Sequence, residues 1–160
     1  MSGGVPPPAA RVTGFWHAGI TVSDMERALR FYRDGLGLEV TSERELDGAY
    51  CEPVVGVRAE TVIAVFLAVP GNGVELELFE YRGIERHSAA ARPCDYGAGH
   101  ICLYVDDVVA THARLTTMGY GARRPIFSIR SGIRAGAKAV YMTDPDGYNV
   151  ELFQKPEAAA

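Results

Sequence analysis

A chain of 160 residues, 48% apolar and 22% charged, is sized for one soluble globular domain that buries roughly 70% of its unfolded surface without staples. Its net charge of -4, with no basic stripe interleaved with aromatics, argues against a nucleic-acid partner. Three cysteines, Cys51, Cys94 and Cys102, lack CxxC spacing, which argues against a disulfide framework or a cysteine-built zinc site and fits a reducing cytoplasm.

In chain order, residues 1–12 read as a flexible tail with neither the charged nor the apolar region of a signal peptide. The longest apolar run, 62–69, is far too short to span a bilayer. Residues 14–22 predict a strand. Ser23-Asp24-Met25-Glu26 has the Ser-x-x-Glu form of a capping box. The helix after it places Met25, Ala28, Leu29 and Tyr32 inward and Arg27, Arg30 and Arg33 outward, and Gly35 and Gly37 stop it. A weakly alternating strand follows over 38–45. Residues 46–60, with Gly48, Pro53 and Gly56, read mostly as loop. The β-branched run 61–69 predicts a buried strand, 70–73 a tight turn, and 74–81 a strand with Glu75, Glu77 and Phe79 on one face.

After a linker over 83–97 the plan restarts. Residues 100–105 predict a strand. Asp106 or Asp107 caps a helix with Val108, Leu115 and Met118 inward. Residues 123–129 and 138–142 predict strands, 131–136 a glycine-rich loop, 144–147 a turn, and 148–154 the last strand. Both halves run β-α-β-β-β, so the expected architecture is α+β in a single domain, 13–155, made of module 1 (13–82) and module 2 (98–155).

The register supports a duplication. Val22 and Val105 lie equally far beyond His17 and His100, as do Asp24 and Asp107. Each half then ends in a Gly-x-x-x-Glu-Leu-Phe unit, Gly73 to Phe79 and Gly147 to Phe153. Residues at matching positions of a duplicated fold can face each other across a pseudo-twofold. His17, Glu77, His100 and Glu151 are therefore the expected ligands of one divalent metal ion. Neutral imidazole and carboxylate suit Ni, Co, Zn, Fe or Mn. Two His and two Glu balance the ion's charge and leave room for a substrate with two adjacent oxygens. Such a site polarises a carbonyl and acidifies the neighbouring C–H, and Glu151, with Glu77 as partner, is the expected base. Glu75 reads as a solvated rim residue, His87 and His112 as structural or solvated, and Asp24 and Asp107 as helix caps. Between Asp107 and Asp144 there is no acid, but Arg114, Arg123, Arg124, Arg130, Arg134 and Lys138 all occur. Arg130 and Arg134, flanked by glycines, are the candidates for drawing in an anionic substrate.

The sequence resembles the vicinal oxygen chelate superfamily, which includes glyoxalase I, methylmalonyl-CoA epimerase, extradiol dioxygenases and bleomycin-binding proteins. The matching stretches are His17 to Asp24, Phe31-Tyr32 with Leu36 to Leu38, Val74 to Leu78, Gly99-His100 with Val105 to Asp107, and Asp144 to Leu152. The resemblance implies paired modules forming an open, cupped mixed sheet around the metal, and a homodimer. Glyoxalase I shares the His, Glu, His, Glu order, but has Arg and Asn for glutathione where this chain has Thr21 and Tyr81. Methylmalonyl-CoA epimerase usually has Gln where Glu77 stands. The expected function is that of a cytoplasmic, metal-dependent lyase, isomerase or epimerase working through a chelated enediolate on a small, anionic or vicinal-oxygen substrate, with Tyr81 a further candidate contact. The rival readings are an Fe(II)-dependent extradiol-type dioxygenase and a drug- or metabolite-sequestering protein. Neither nucleic acid nor membrane is an expected partner.

Overall fold

The computed structural model describes residues 11–71 and 73–157. Most of the expected tail, Asn72 in the expected turn, and the Ala158 to Ala160 end lie outside the described residues. The elements are β1 (His17–Thr21), α1 (Met25–Leu29) running into a π turn (Arg30–Gly35), β2 (Glu39–Asp47), α2 (Gly48–Val55), β3 (Thr61–Ala68), β4 (Glu75–Arg82), β5 (His100–Tyr104), α3 (Val108–Thr117), β6 (Phe127–Ser128), β7 (Lys138–Thr143) and β8 (Asn149–Gln154). They form two four-stranded mixed sheets of matching order, β1-β4-β3-β2 and β5-β8-β7-β6. In each, the first strand runs parallel to the last and the others are antiparallel. The α+β architecture read from the sequence is present. Among the described residues, no helix is long and apolar enough to cross a membrane.

The duplication extends into local hydrogen bonding. Asp24 and Asp107 both cap their helices, accepting from Arg27 N–H and from Val109 and Ala110 N–H. The first helical N–H is then taken by a side chain of the last strand. Met25 donates to Glu80 Oε2 (2.8 Å) and Val108 to Gln154 Oε1 (3.0 Å). These partners satisfy donors that a helix start leaves open. Burial works against the Glu80 charge, but the hydrogen bonds from Arg82 and Met25 outweigh it and leave its carboxyl below the usual range.

Several local expectations change. The Ser23 hydroxyl donates to Asp146 of the other module instead of closing a capping box, because Asp24 takes the cap. Met118 is 40% exposed, since α3 ends at Thr117 and Met118 lies past its buried stripe. The strand expected over 123–129 shrinks to Phe127–Ser128 with an isolated bridge at Ala122. Pro125, which has no N–H for a ladder, accounts for the gap.

The largest change is α2, where a loop was expected. Asp47 caps it through Ala49 N–H (2.7 Å), and Gly56 closes it in the left-handed conformation at φ 73°. Gly48 is required by a close approach, because a Cβ there would lie 1.9 Å from the Ala59 carbonyl oxygen.

One core runs through both modules, with Phe31, Tyr32, Leu67, Leu76 and Leu78 of the first and Leu115, Met142 and Leu152 of the second fully buried. The modules join where the π turn meets α3. Phe31 packs edge-on to Tyr120 at 4.9 Å, and the Tyr32 hydroxyl donates to Asp144 Oδ2 at 2.9 Å.

Candidate active site

On β4, alternation sends Leu76, Leu78 and Glu80 toward α1 and puts Glu75, Glu77, Phe79 and Tyr81 on the other face. The same alternation on β8 sends Val150 and Leu152 into the core and leaves Glu151 on the opposite side. Parallel pairing sets Gly19 beside Glu77 and Cys102 beside Glu151. Antiparallel pairing sets Phe66 on the other side of Glu77 and Tyr141 on the other side of Glu151. Each acid therefore lies in the middle of its sheet, within reach of the histidine that begins the parallel neighbour.

The structure brings each histidine to its glutamate. His17 Nε2 lies 3.0 Å from Glu77 Oε2, and His100 Nε2 lies 3.3 Å from Glu151 Oε2. It does not bring the two pairs into one cluster. Among the described residues, no group of three or more His, Cys, Asp or Glu is disposed to hold a metal ion. The convergence expected within one chain is thus absent, and the chain presents two half-sites.

The half-sites have different surroundings. The His17 ring packs edge-on against the stacked rings of Trp16, at 4.5 Å, and Phe66, at 5.8 Å. Its Nδ1 is buried and has no hydrogen-bond partner among the described residues. Burial, and secondarily Glu75, raise the Glu77 carboxyl above its ordinary value, with His17 opposing. Glu75 itself accepts from the Thr41 hydroxyl at 2.7 Å. In module 2, the Tyr141 hydroxyl lies 3.1 Å from His100 Nε2. Partial burial and the neighbouring Glu151 carboxylate push the Cys102 thiol up to about 11. Side-chain exposure separates the pairs: 28% and 10% for His17 and Glu77, 44% and 19% for His100 and Glu151.

The donor set fits a divalent ion. Neighbouring ligands of an ion with bonds of ~2.0–2.2 Å lie roughly 3.0–3.5 Å apart, and both His–Glu pairs meet that spacing. The burial that raises the Glu77 carboxyl, with His17 opposing, marks an acid that the protein alone compensates little.

Of the other sequence candidates, Tyr81 lies on the Glu77 face beside Cys51 of α2. Arg134 lies over the Phe153 ring at 5.5 Å and near Cys102. Arg130 is exposed in the turn after β6. His87 is exposed, 3.9 Å from Glu85, and His112 lies partly exposed on α3. Sequence reasoning overlooked Tyr141, Arg123 and Arg124, which line a cleft with Glu151. The acid-free run contained both arginines, but the glycine criterion favoured Arg130 and Arg134.

Comparison with known proteins agrees with this architecture. A family model for the Glyoxalase/Bleomycin resistance protein/Dioxygenase superfamily matches residues 14–152. A 2-epi-5-epi-valiolone epimerase of Actinomyces sp is 28% identical over 146 residues, covering 89% of this chain and 80% of that protein. The lactoylglutathione lyase of Salmonella typhimurium is 28% identical over 144 residues, covering 89% and 93%. A glyoxalase family protein from Bacillus cereus superposes with a TM-score of 0.77 at 17% identity, covering 92% of this chain and 97% of that one. The trypanothione-dependent glyoxalase I of Leishmania major gives 0.60 at 24% identity, covering 89% and 87%, so both likenesses concern the fold alone. Since the matching model takes in almost all of the duplicated region, this chain belongs to the Glyoxalase/Bleomycin resistance protein/Dioxygenase superfamily.

Proposed function

We propose that the protein is a divalent-metal-dependent enzyme of the glyoxalase type, acting by proton transfer next to a carbonyl. His17 and Glu77 of one copy and His100 and Glu151 of a second would hold the ion. The observation that carries this reading is the pair of matched His–Glu contacts, 3.0 and 3.3 Å, at equivalent places in two modules. A twofold association in which module 1 meets the partner's module 2 completes the set twice, because an isologous interface repeats every contact. The bound ion supplies Lewis acidity toward a carbonyl oxygen.

The chain's own residues do the rest. Glu151, the more open carboxylate, takes a proton from carbon and returns it. Tyr141 lies beside both His100 and Glu151, within reach of the same Nε2 that an ion would take. Glu77, buried with its neighbours fixed, is the static ligand. The homologous lyases and epimerase support this class of chemistry, and a small substrate with two adjacent oxygens is its natural partner.

The test mixes two inactive variants. His17→Ala and His100→Ala should each lose divalent-metal binding. In mixed dimers one of the two sites regains all four ligands, so equilibrated equal amounts should recover about a quarter of the wild-type metal. Solvent-deuterium exchange into hemithioacetals, malonyl-type thioesters and 2-hydroxyketones should follow the recovered metal. No recovery on mixing, in a dimer shown to exchange subunits, sinks the shared site.

A further inference from the structure

We infer that α2 is an interface helix: its apolar outer face seats in the cleft beside Glu151 of a second copy and walls the site that the two copies share. The inference rests on the reading above in taking the ion to be held by module 1 of one copy and module 2 of the other.

α2 is built the wrong way round for a surface helix, which ordinarily turns polar residues outward. It turns Cys51 inward, beside Tyr81 on the Glu77 face. Its outward residues include Tyr50, Pro53 and Val54, at i, i+3 and i+4, with Val57 just past the Gly56 cap. Tyr50 is 75% and Val54 88% exposed. Apolar anchors at that spacing are how a helix seats in a groove.

A groove of matching character lies in module 2. Phe127 pairs with Ala139 and Ala139 with Phe153, so all three share the face of Glu151. There Pro93, Pro125, Phe127 and Ile129 wall a cleft of about 670 Å³ together with Tyr141 and Glu151.

The symmetry of a shared site brings helix and groove together. α2 joins β2 to β3, and the segment 129–137 joins β6 to β7. A pseudo-twofold that exchanges His17 and Glu77 of one copy with His100 and Glu151 of the second exchanges these connections too. They therefore stand on opposite walls of one site, each on the face that its glutamate occupies. The charges agree with a second copy as the occupant. Residues 45–60 hold four acids and one base, while 108–143 hold six bases and no acid. Both arginines of the cleft, Arg123 and Arg124, belong to that basic stretch. Opposite charge steers α2 of one copy to module 2 of the other and opposes contact between like modules.

Sedimentation of the full chain over a range of concentrations tests the contact. Val54→Asp changes a residue that packs on nothing in its own chain, and should raise the dimer dissociation constant at least about ten-fold. Val109→Asp, on the half-exposed outer side of α3, should leave it unchanged. Val54→p-benzoylphenylalanine, irradiated in a mixture of isotopically light and heavy copies, should join position 54 of one copy to residues 123–129 of the other. A monomer at every concentration, equal effects of the two aspartate substitutions, or cross-links confined to one copy overturn the interface helix. Metal recovered on mixing His17→Ala with His100→Ala, without a light-to-heavy cross-link from position 54, refutes the interface helix alone. Copies that cross-link through position 54 but recover no metal on mixing refute the metalloenzyme reading alone.

Discussion

Modules 1 and 2 share strand order, helix caps and a His–Glu pair, yet present that pair in opposite ways. In module 1 the face around Glu77 is roofed. Val62 and Ala64, which pair with Tyr81 and Phe79 on that face, are only 1% and 2% exposed. α2 packs on β2 and β3 and sets Cys51 beside Tyr81. Module 2 has no helix between β6 and β7, and Tyr104 and Phe127 on its corresponding face are 63% and 64% exposed. Duplication has thus kept what makes a sheet and a ligand pair, and released what surrounds them. Two equivalent carboxylates can differ in chemistry because one is desolvated and held by rings while the other opens on a cleft.

The sharpest way to break this contrast is to remove the roof. At Gly48 a Cβ would collide with the Ala59 carbonyl, a backbone group that no rotamer change can move. Gly48 N–H also donates to the Glu60 carbonyl, so the site cannot shift without losing that bond. Gly48→Ala should cost about 3 kcal/mol, read from urea denaturation, and should speed thiol labelling of Cys51. Gly121→Ala in module 2 is the control, since its Cβ would meet only Thr143 Oγ1 at 4.0 Å. Unchanged stability and labelling in Gly48→Ala would mean that α2 is no fixed cover.

A smaller effect comes from the position beside each glutamate, Phe66 in module 1 and Tyr141 in module 2. Only Tyr141 can hydrogen-bond its histidine. Tyr141→Phe makes module 2 resemble module 1 at this point. It should cost about 1 kcal/mol of stability but leave metal affinity undiminished, because the hydroxyl meets the same Nε2 that an ion would take. Competition against a chelator of known affinity measures the second. Clearly weaker metal binding in the variant would show that His100 does not offer Nε2 to the ion.

What could be read in the sequence was whatever depends on local pattern. Alternation around Glu77 announced a strand with one apolar face, and Asp24 and Asp107 announced their caps. What could not be read depended on contacts distant in the chain. Gly48, Pro53 and Gly56 are breaker signals by any local rule. Gly48 is small because Ala59 passes it, and Gly56 ends a helix instead of marking a loop. The grouping of Arg123 and Arg124 with Glu151 needed the sheet order, and the shortening of β6 at Pro125 obscured it. The four proposed ligands were legible as residues, but their separation into two pairs follows from how the modules pack.

The smallest effect concerns the seam between the modules. Asp144 accepts from the Tyr32 hydroxyl and from Asp146 and Tyr148 N–H. Burial nevertheless outweighs these bonds and raises its carboxyl above the ordinary value. A carboxyl raised on folding binds its proton more tightly in the native state. Its contribution is therefore fully present below the unfolded pKa of about 3.9 and is lost as pH rises through the folded value, so this group alone makes stability fall with pH across that window. Asp144→Asn removes the buried charge. Its carbonyl oxygen can still accept from the two backbone donors, and its amide can donate to the Tyr32 hydroxyl. Urea midpoints measured between pH 4 and 7 should show the variant gaining on the wild type as pH rises, with the two closest at the acid end. A variant that instead loses ground toward neutral pH would mean that the three hydrogen bonds to the carboxylate outweigh its desolvation, and that the modules are held together by its charge.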